Sequence, residues 1–530
     1  MKLNRSATFL LIGLLLALLS VVCSTDYITP ASLTATAQAG RATSTGISTA
    51  FYITPTSTTT PTPTVTPTND PAAVSPTPEV PSPTITTPPD YFAADGPLIQ
   101  YFAQSGDTLD VLAIRFGVDR SEIVSDEPIP EEGLIDPQQL LLLPRRLANT
   151  TPAEQLMPDS EVVYSPSAIG FDTQAYVEQQ DGHLHAYQEF LGATGFTSGA
   201  DILQRVAIEN SINPRLLLSL LEYLSHWVSG EPGTLSQTNY PMGLIDVDLH
   251  GLYQQLTWAV NLISKGYYGW REGNLTEIQF KDGSYLRIAP ELNAGTVALQ
   301  FFFAQLYDRA QWEQALDPES GYLATYKQLF GNPQLLAAQT EPLFPSNLSQ
   351  PSMILPFMLG QVWSFTGGPH GAWEGEGSQA ALDFAPSASL PGCAPSDLWV
   401  TAVAPGYIVR SGGGVVVLDL DDDQNEQTGW VLMYLHVSEN GAAPVGRWVD
   451  TGEPLGHPSC EGGRATGTHV HIARKYNGEW IAADGPIPFV LSGWQASAGD
   501  EPYDGTLTRD GEVIVASRWG EDIARSPNDP

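Results

Sequence analysis

Cysteine is scarce in this chain, three in 530 residues with no CxxC pair, which excludes a disulfide-dense scaffold, a zinc ribbon and a dithiol redox site. Positive charge is scarce as well. Against 23 Lys+Arg stand 59 Asp+Glu, a formal net charge of −36, and so acidic a chain lacks the basic surface that neutralises phosphates, so nucleic acid is not expected as a partner. The apolar run Ala7–Val22 falls short of the roughly 20 residues of a spanning helix. Lys2 and Arg5 precede it and Cys23-Ser24 follow, so residues 1–25 read as an export segment that places the remainder outside the cytoplasm, secreted or anchored in the cell envelope. With Cys23 at the end of that segment, Cys393 and Cys460 are left as the internal pair, which fits an oxidising compartment.

Cys23 resembles the acylated cysteine of bacterial lipoproteins. Membrane attachment there, cleavage after Ser24 and retention as an uncleaved anchor all stay open. Proline, in contrast to cysteine, is plentiful, and it is densest in residues 26–96, where TPTSTTTPTPTVTPTNDP and VPSPTITTPPD fix φ, remove amide donors and offer little to a core. That stretch reads as a disordered linker, either a stalk or a spacer of no defined role.

Residues 97–146 read as a small βααβ domain. SGDT at 105–108 is a turn and helix cap, Leu109, Leu112, Ala113 and Phe116 recur at helical spacing, a second short helix is expected near Arg120, and Gln139–Leu143 should pair with Ile99–Ala103. The order, the SGDTL turn and the terminal LLLLP resemble the LysM module, which implies binding of N-acetylglucosamine-containing glycan. After a linker at 147–165, residues 166–340 carry helical periodicity. ILQRVAIENSINPRLLLSLLEYLSHW and NAGTVALQFFF resemble the lysozyme-like fold of lytic transglycosylases, but Leu224-Ser225 stand where that family has its catalytic Glu-Ser, and Glu222 lies on another helical face. The expectation is a lysozyme-like domain that does not cut glycan. His183 and His185 read as solvated histidines, since no third ligand has a convincing context.

Five of the nine histidines, His370, His436, His457, His469 and His471, fall after residue 369. In GTHVHI the two histidines are one residue apart, so on a strand both rings leave the same face. GGPHG, ALDFAP, YLHV and GTHVHI, in that order, resemble the motifs of the lysostaphin-like (LytM-type) zinc endopeptidases. The resemblance implies Zn2+ held by His370, Asp383 and His471, with His469 as the base and His436 as the hydrogen-bond donor to the oxyanion. It also implies a mainly antiparallel β peptidase domain, here 341–500, followed by an acidic tail at 501–530. Family members commonly hold the His and Asp ligands a few residues apart, whereas Gly371–Leu382, twelve residues, intervene here. The acidic turn Asp419–Glu426 is either a calcium loop or a solvated hairpin. The late tryptophans, Trp363 to Trp494, are better read as core or rim packing than as a substrate groove.

The fold class expected is therefore multidomain: a LysM module, an all-α lysozyme-like domain and a mainly antiparallel β peptidase domain. The function expected is that of an exported, zinc-dependent hydrolase acting on peptidoglycan peptides. Its rival is a non-catalytic peptidoglycan-binding or hydrolase-regulating protein, and retention of all five motif positions favours the enzyme.

Overall fold

The computed structural model describes residues 96–373, 375–387, 392–517 and 521–525, so the export segment, Cys23 and the Thr/Pro-rich linker lie outside the described residues. At the front of the described chain, strands β1 (Leu98–Phe102) and β2 (Leu140–Pro144) pair antiparallel around helix α1 (Leu109–Phe116). Thr108 caps α1 by accepting the Val111 N–H, and Gly117 ends it in the left-handed region at φ 64°. The second helix is a single 3-10 turn, Arg120–Glu122. Tyr101, Leu112, Phe116, Leu141 and Leu143 form a small core. This module is docked rather than tethered. Buried Arg115 donates to the Trp270 carbonyl at 2.9 Å and stacks over the Trp270 ring at 4.6 Å, with Asp107 balancing its charge at 2.8 Å.

Four longer helices dominate the middle of the chain: α2 (Gly199–Asn210), α3 (Pro214–Ser225), α4 (Leu252–Arg271) and α5 (Ala294–Leu306). Asn213 caps α3 and Pro214 occupies its first turn, where its missing N–H costs nothing. The sequence of α5 is apolar all round, and it is buried from Ala294 to Ala304. Residues 147–165 are not a linker. Leu156, Met157, Val162 and Val163 are buried in the helical core, and Asp159 accepts the Gly295 N–H and the Asn293 side chain at 2.7 Å, capping α5 from outside it. That segment has no period to betray it; its burial is set by distant partners, Ser211 to Asn213 and Asn293 to Thr296.

The remaining chain builds a nine-stranded antiparallel sheet. Its strands are β3 (Val362–His370), β4 (Ala381–Pro386), β5 (Gly406–Gly412), β6 (Val415–Asp419), β7 (Trp430–Leu435), β8 (Trp448–Val449), β9 (Val470–Tyr476) and β10 (Glu521–Ala524), in the spatial order β8-β5-β6-β7-β9-β4-β3-β10, with Glu479–Trp480 paired beside β9. Both faces of its centre are buried. Val416, Leu418, Leu432, Tyr434, Val470 and Ile472 face a core shared with the smaller sheets, while Val415, Val417, Val431, Met433, Leu435 and Ala473 belong to the same core as the helices. Strands covered on both sides carry continuous apolar runs, as VVVLD and WVLMYL do.

The expected acidic tail is folded too. Gly505–Arg509 and Glu512–Val515 pair in a four-stranded sheet, and β10 closes the edge of the large sheet against β3. Cys393 and Cys460 form a disulfide, Cα atoms 5.6 Å apart. Among the described residues no helix is long and apolar enough to cross a membrane.

Candidate metal centre

Strand register gathers the candidate residues. Leu435, His471, Asp383 and Gly367 stand opposite one another across β7, β9, β4 and β3, so the row shares one face of the sheet. His469 leaves β9 on that face as well, two residues before His471. Two register shifts in β3 bring His370 to the same place, and His436 follows β7 in the left-handed conformation, φ 64°, uncommon outside glycine. Gly367 has no room for a side chain: a Cβ there would lie 2.7 Å from Asp383 Oδ2.

His370 Nε2 and His471 Nδ1 are 3.0 Å apart, and each lies 3.3 Å from Asp383 Oδ1. The opposite nitrogen of each ring meets a backbone carbonyl, His370 Nδ1 at Gly368 O (2.7 Å) and His471 Nε2 at Ala372 O (2.8 Å). Those carbonyls take the ring N–H groups, so both lone pairs point at a buried carboxylate oxygen that accepts no hydrogen bond. Three electron-rich atoms facing one another need a cation between them. A tetrahedral ion bonded at about 2.0 to 2.1 Å sets its ligands about 3.3 Å apart, and the observed triangle fits that size. The side chains present fit zinc.

The charges agree. Burial alone would raise the Asp383 carboxyl, but His370, then His471 and His469, hold it well below its ordinary value. His370 ends above its ordinary value because Asp383 outweighs burial, whereas burial wins at His471 and lowers it. Burial and then the neighbouring His469 push His436 down to about 4.

His469 Nδ1 meets Gly467 O at 2.7 Å, which leaves its Nε2 lone pair directed toward the site, 3.8 Å from Asp383 Oδ2. His436 is held in the same way, Nδ1 at Glu461 O (2.8 Å), with its ring 4.4 Å from that of His469. In the neutral ring His436 Nε2 is therefore an acceptor. The donor role expected from sequence needs that ring to take a proton first.

Tyr503 was not anticipated. Its ring stacks on His370 at 4.0 Å, its N–H donates to Pro369 O and its carbonyl accepts the Gly368 N–H at 2.8 Å, so the segment expected as a tail braces a metal ligand.

Asp419, Asp421 and Asp423 also place ligand atoms within 4.8 Å of one another, with the latter two exposed, and other chemistry-bearing residues are committed to structure. Glu222 accepts the N–H groups of Val228 and Ser229 and the Ser229 hydroxyl, closing the turn after α3, and Leu224 is half-buried. His183 pairs with Glu231 and packs on Trp227. His457 lies outside the cluster, its Nδ1 on Leu398 O and its ring against Trp399. In the acidic turn Asp419 accepts the Asp421 and Gln424 N–H groups, while buried Glu426 pairs with Arg410 and Lys475. Trp363, Trp430, Trp480 and Trp494 are core residues.

Residues 155–343 match the family described as LasA, N-terminal domain. The chain is 24% identical over 372 residues to Protease LasA of Pseudomonas aeruginosa, covering 66% of this chain and 80% of that protein. This chain is similar to Protease LasA. The helical region likened above to lytic transglycosylases thus corresponds to the amino-terminal domain of LasA-type proteins. Among solved structures the chain is similar to the M23 metalloprotease pseudoalterin from the deep sea (24% identity, 33% of this chain and 100% of that one, TM-score 0.29). It is also similar to the catalytic domain of lysostaphin from Staphylococcus simulans (22% identity, 23% of this chain and 89% of that one, TM-score 0.17). The likeness to Protease LasA supports a peptidase.

Proposed function

We propose that this chain is an exported zinc endopeptidase that hydrolyses peptide bonds of bacterial peptidoglycan. The observation that carries the reading is the buried triangle of His370, Asp383 and His471, whose three ligand atoms lie 3.0 to 3.3 Å from one another. These three side chains would hold zinc, which would supply Lewis acidity to the site.

The protein's own groups do the rest. His469 Nε2, the unprotonated nitrogen of a ring fixed by Gly467 O, receives the proton of the attacking water. His436, beside it, shares that proton and then donates it toward the oxygen on which charge develops. Ala372 and Gly368 carbonyls keep His471 and His370 in the tautomers that ligate. The LysM-like module would direct the enzyme to glycan, and Cys23 would supply membrane attachment where it is acylated.

The test is digestion of purified peptidoglycan with the full chain, followed by mass analysis of the fragments. Cleaved peptide bonds, abolished by chelation and restored by Zn2+, are expected. Intact wall with zinc-loaded protein would favour the wall-binding rival.

A further inference from the structure

The face of the sheet that carries His469, His471 and Asp383 is the face on which the helical region packs, since Ala473, next along β9, and Leu435, opposite His471, both join the helical core. Between His370 and Asp383 runs the long insert. Its Ala372, buried, supplies the carbonyl that takes the His471 Nε2–H at 2.8 Å. Without that acceptor His471 is free to adopt the tautomer that carries its proton on Nδ1, which has no lone pair at the ligand position.

The insert does not hold itself. Asn261, Ser264, Lys265 and Tyr268 lie on one face of α4 by helical spacing, and all four meet it. Asn261 Oδ1 accepts the Glu376 N–H, Lys265 pairs with Glu376 at 3.2 Å, and a Cβ on Gly377 would lie 3.2 Å from Ser264 Cβ and 3.5 Å from the Tyr268 ring. Gly377 has φ 109°, open to glycine and strained for other residues, so the chain passes the helix where only a bare backbone fits. Beyond it, Gln379 O accepts the Ala483 N–H and fixes the far end.

We propose that residues 371–373 and 375–380 act as a positioning segment, held by α4, through which the helical region sets the tautomer and placement of His471. On this account the helical region is a constituent of the metal site. The inference rests on the zinc reading above.

The test uses the full chain with Ser264→Leu, which drives a larger side chain against Gly377, and Ser264→Ala as its control. Zn2+ affinity is measured by chelator competition. In the metal-free, 15N-labelled protein the His471 imidazole N–H is followed as a low-field, slowly exchanging proton. Ser264→Leu should weaken Zn2+ binding roughly 10- to 100-fold and lose that proton, with the melting temperature and far-UV spectrum kept, and Ser264→Ala should match wild type.

Should Ser264→Leu misfold, Lys265→Glu, which sets like charges together, should weaken binding roughly 2- to 5-fold, and adding Glu376→Lys should restore it. Wild-type affinity in every variant, with the wild type itself binding zinc, overturns this inference alone. A wild-type chain that binds no Zn2+ overturns the metal reading and the inference with it.

Discussion

Asp383 is the residue whose surroundings say most about the chemistry, because a buried carboxylate oxygen between two ring nitrogens needs positive charge beside it, a proton on His370 or a metal ion. Removal of a ligand and removal of a base should therefore separate. His471→Ala is expected to lose both zinc and peptide cleavage, whereas His469→Ala should keep stoichiometric zinc and lose cleavage by roughly 10²- to 10⁴-fold, read by metal analysis and turnover on the same preparations. Zinc lost equally from both variants would break the assignment. Tyr503 offers a second separation: Tyr503→Phe keeps the stack on His370 and should bind zinc as wild type, while Tyr503→Ala should bind it several-fold more weakly by chelator competition. The sequence made the histidines of GTHVHI legible because a strand has period two. Tyr503 was hidden, since a lone tyrosine in a polar turn repeats nothing, although the Asp510-Gly511 turn between TLTR and EVIV marked the hairpin that follows it.

The strands that carry the site were readable for a related reason. VVVLD and WVLMYL break the alternation of a half-exposed sheet, a sign of burial on both sides, but the pattern is silent on what covers the second face. The loops beside the histidines were not readable. The Cys393–Cys460 disulfide joins two of them: Thr468, next to His469, bonds to Gly392 O and Ala394 O, and Glu461 O holds His436. Replacing both cysteines with Ala should lower stability by roughly 4 kcal/mol in urea unfolding, as expected for a link across 67 residues. Turnover should fall with zinc retained, and unchanged stability and turnover would show that the link restrains neither loop.

Glu426 makes a pH prediction on the neighbouring strands. Burial opposes its charge, but Lys475 and Arg410 hold it at about 2 against an ordinary 4.5. Its stabilisation is therefore complete above about 4.5 and is lost as pH falls toward 2. The loss is on the order of 3 kcal/mol. Glu426→Gln should be less stable at neutral pH and should show a flatter decline of melting temperature in that acid window; a wild-type slope there would assign the acid loss to other carboxylates.

Taken together, the described residues read as modules in sequence and as one body in structure, because the contacts that join them are buried ionic groups and a shared core that no local pattern announces. Arg271 at the end of α4 pairs with Asp159 of the supposed linker at 2.9 Å and with Glu479 beside β9 at 2.7 Å, and it also donates to the Ser105 carbonyl of the small module at 97–146. One guanidinium thus ties three sequence modules, while the helical core runs on into β6, β7 and β9. Separating the helices from the sheet would expose Val417, Val431, Met433 and Trp480 to water, at roughly 1.5 to 3 kcal/mol for each large side chain. The helical and peptidase regions should therefore unfold together, in a single calorimetric transition that coincides with the loss of near-ultraviolet dichroism. Arg271→Met strands Asp159 and Glu479 in the interior and should cost about 3 to 5 kcal/mol, enough to split that transition in two. Two transitions already present in the wild type would mean that the shared core is too weak to couple the halves.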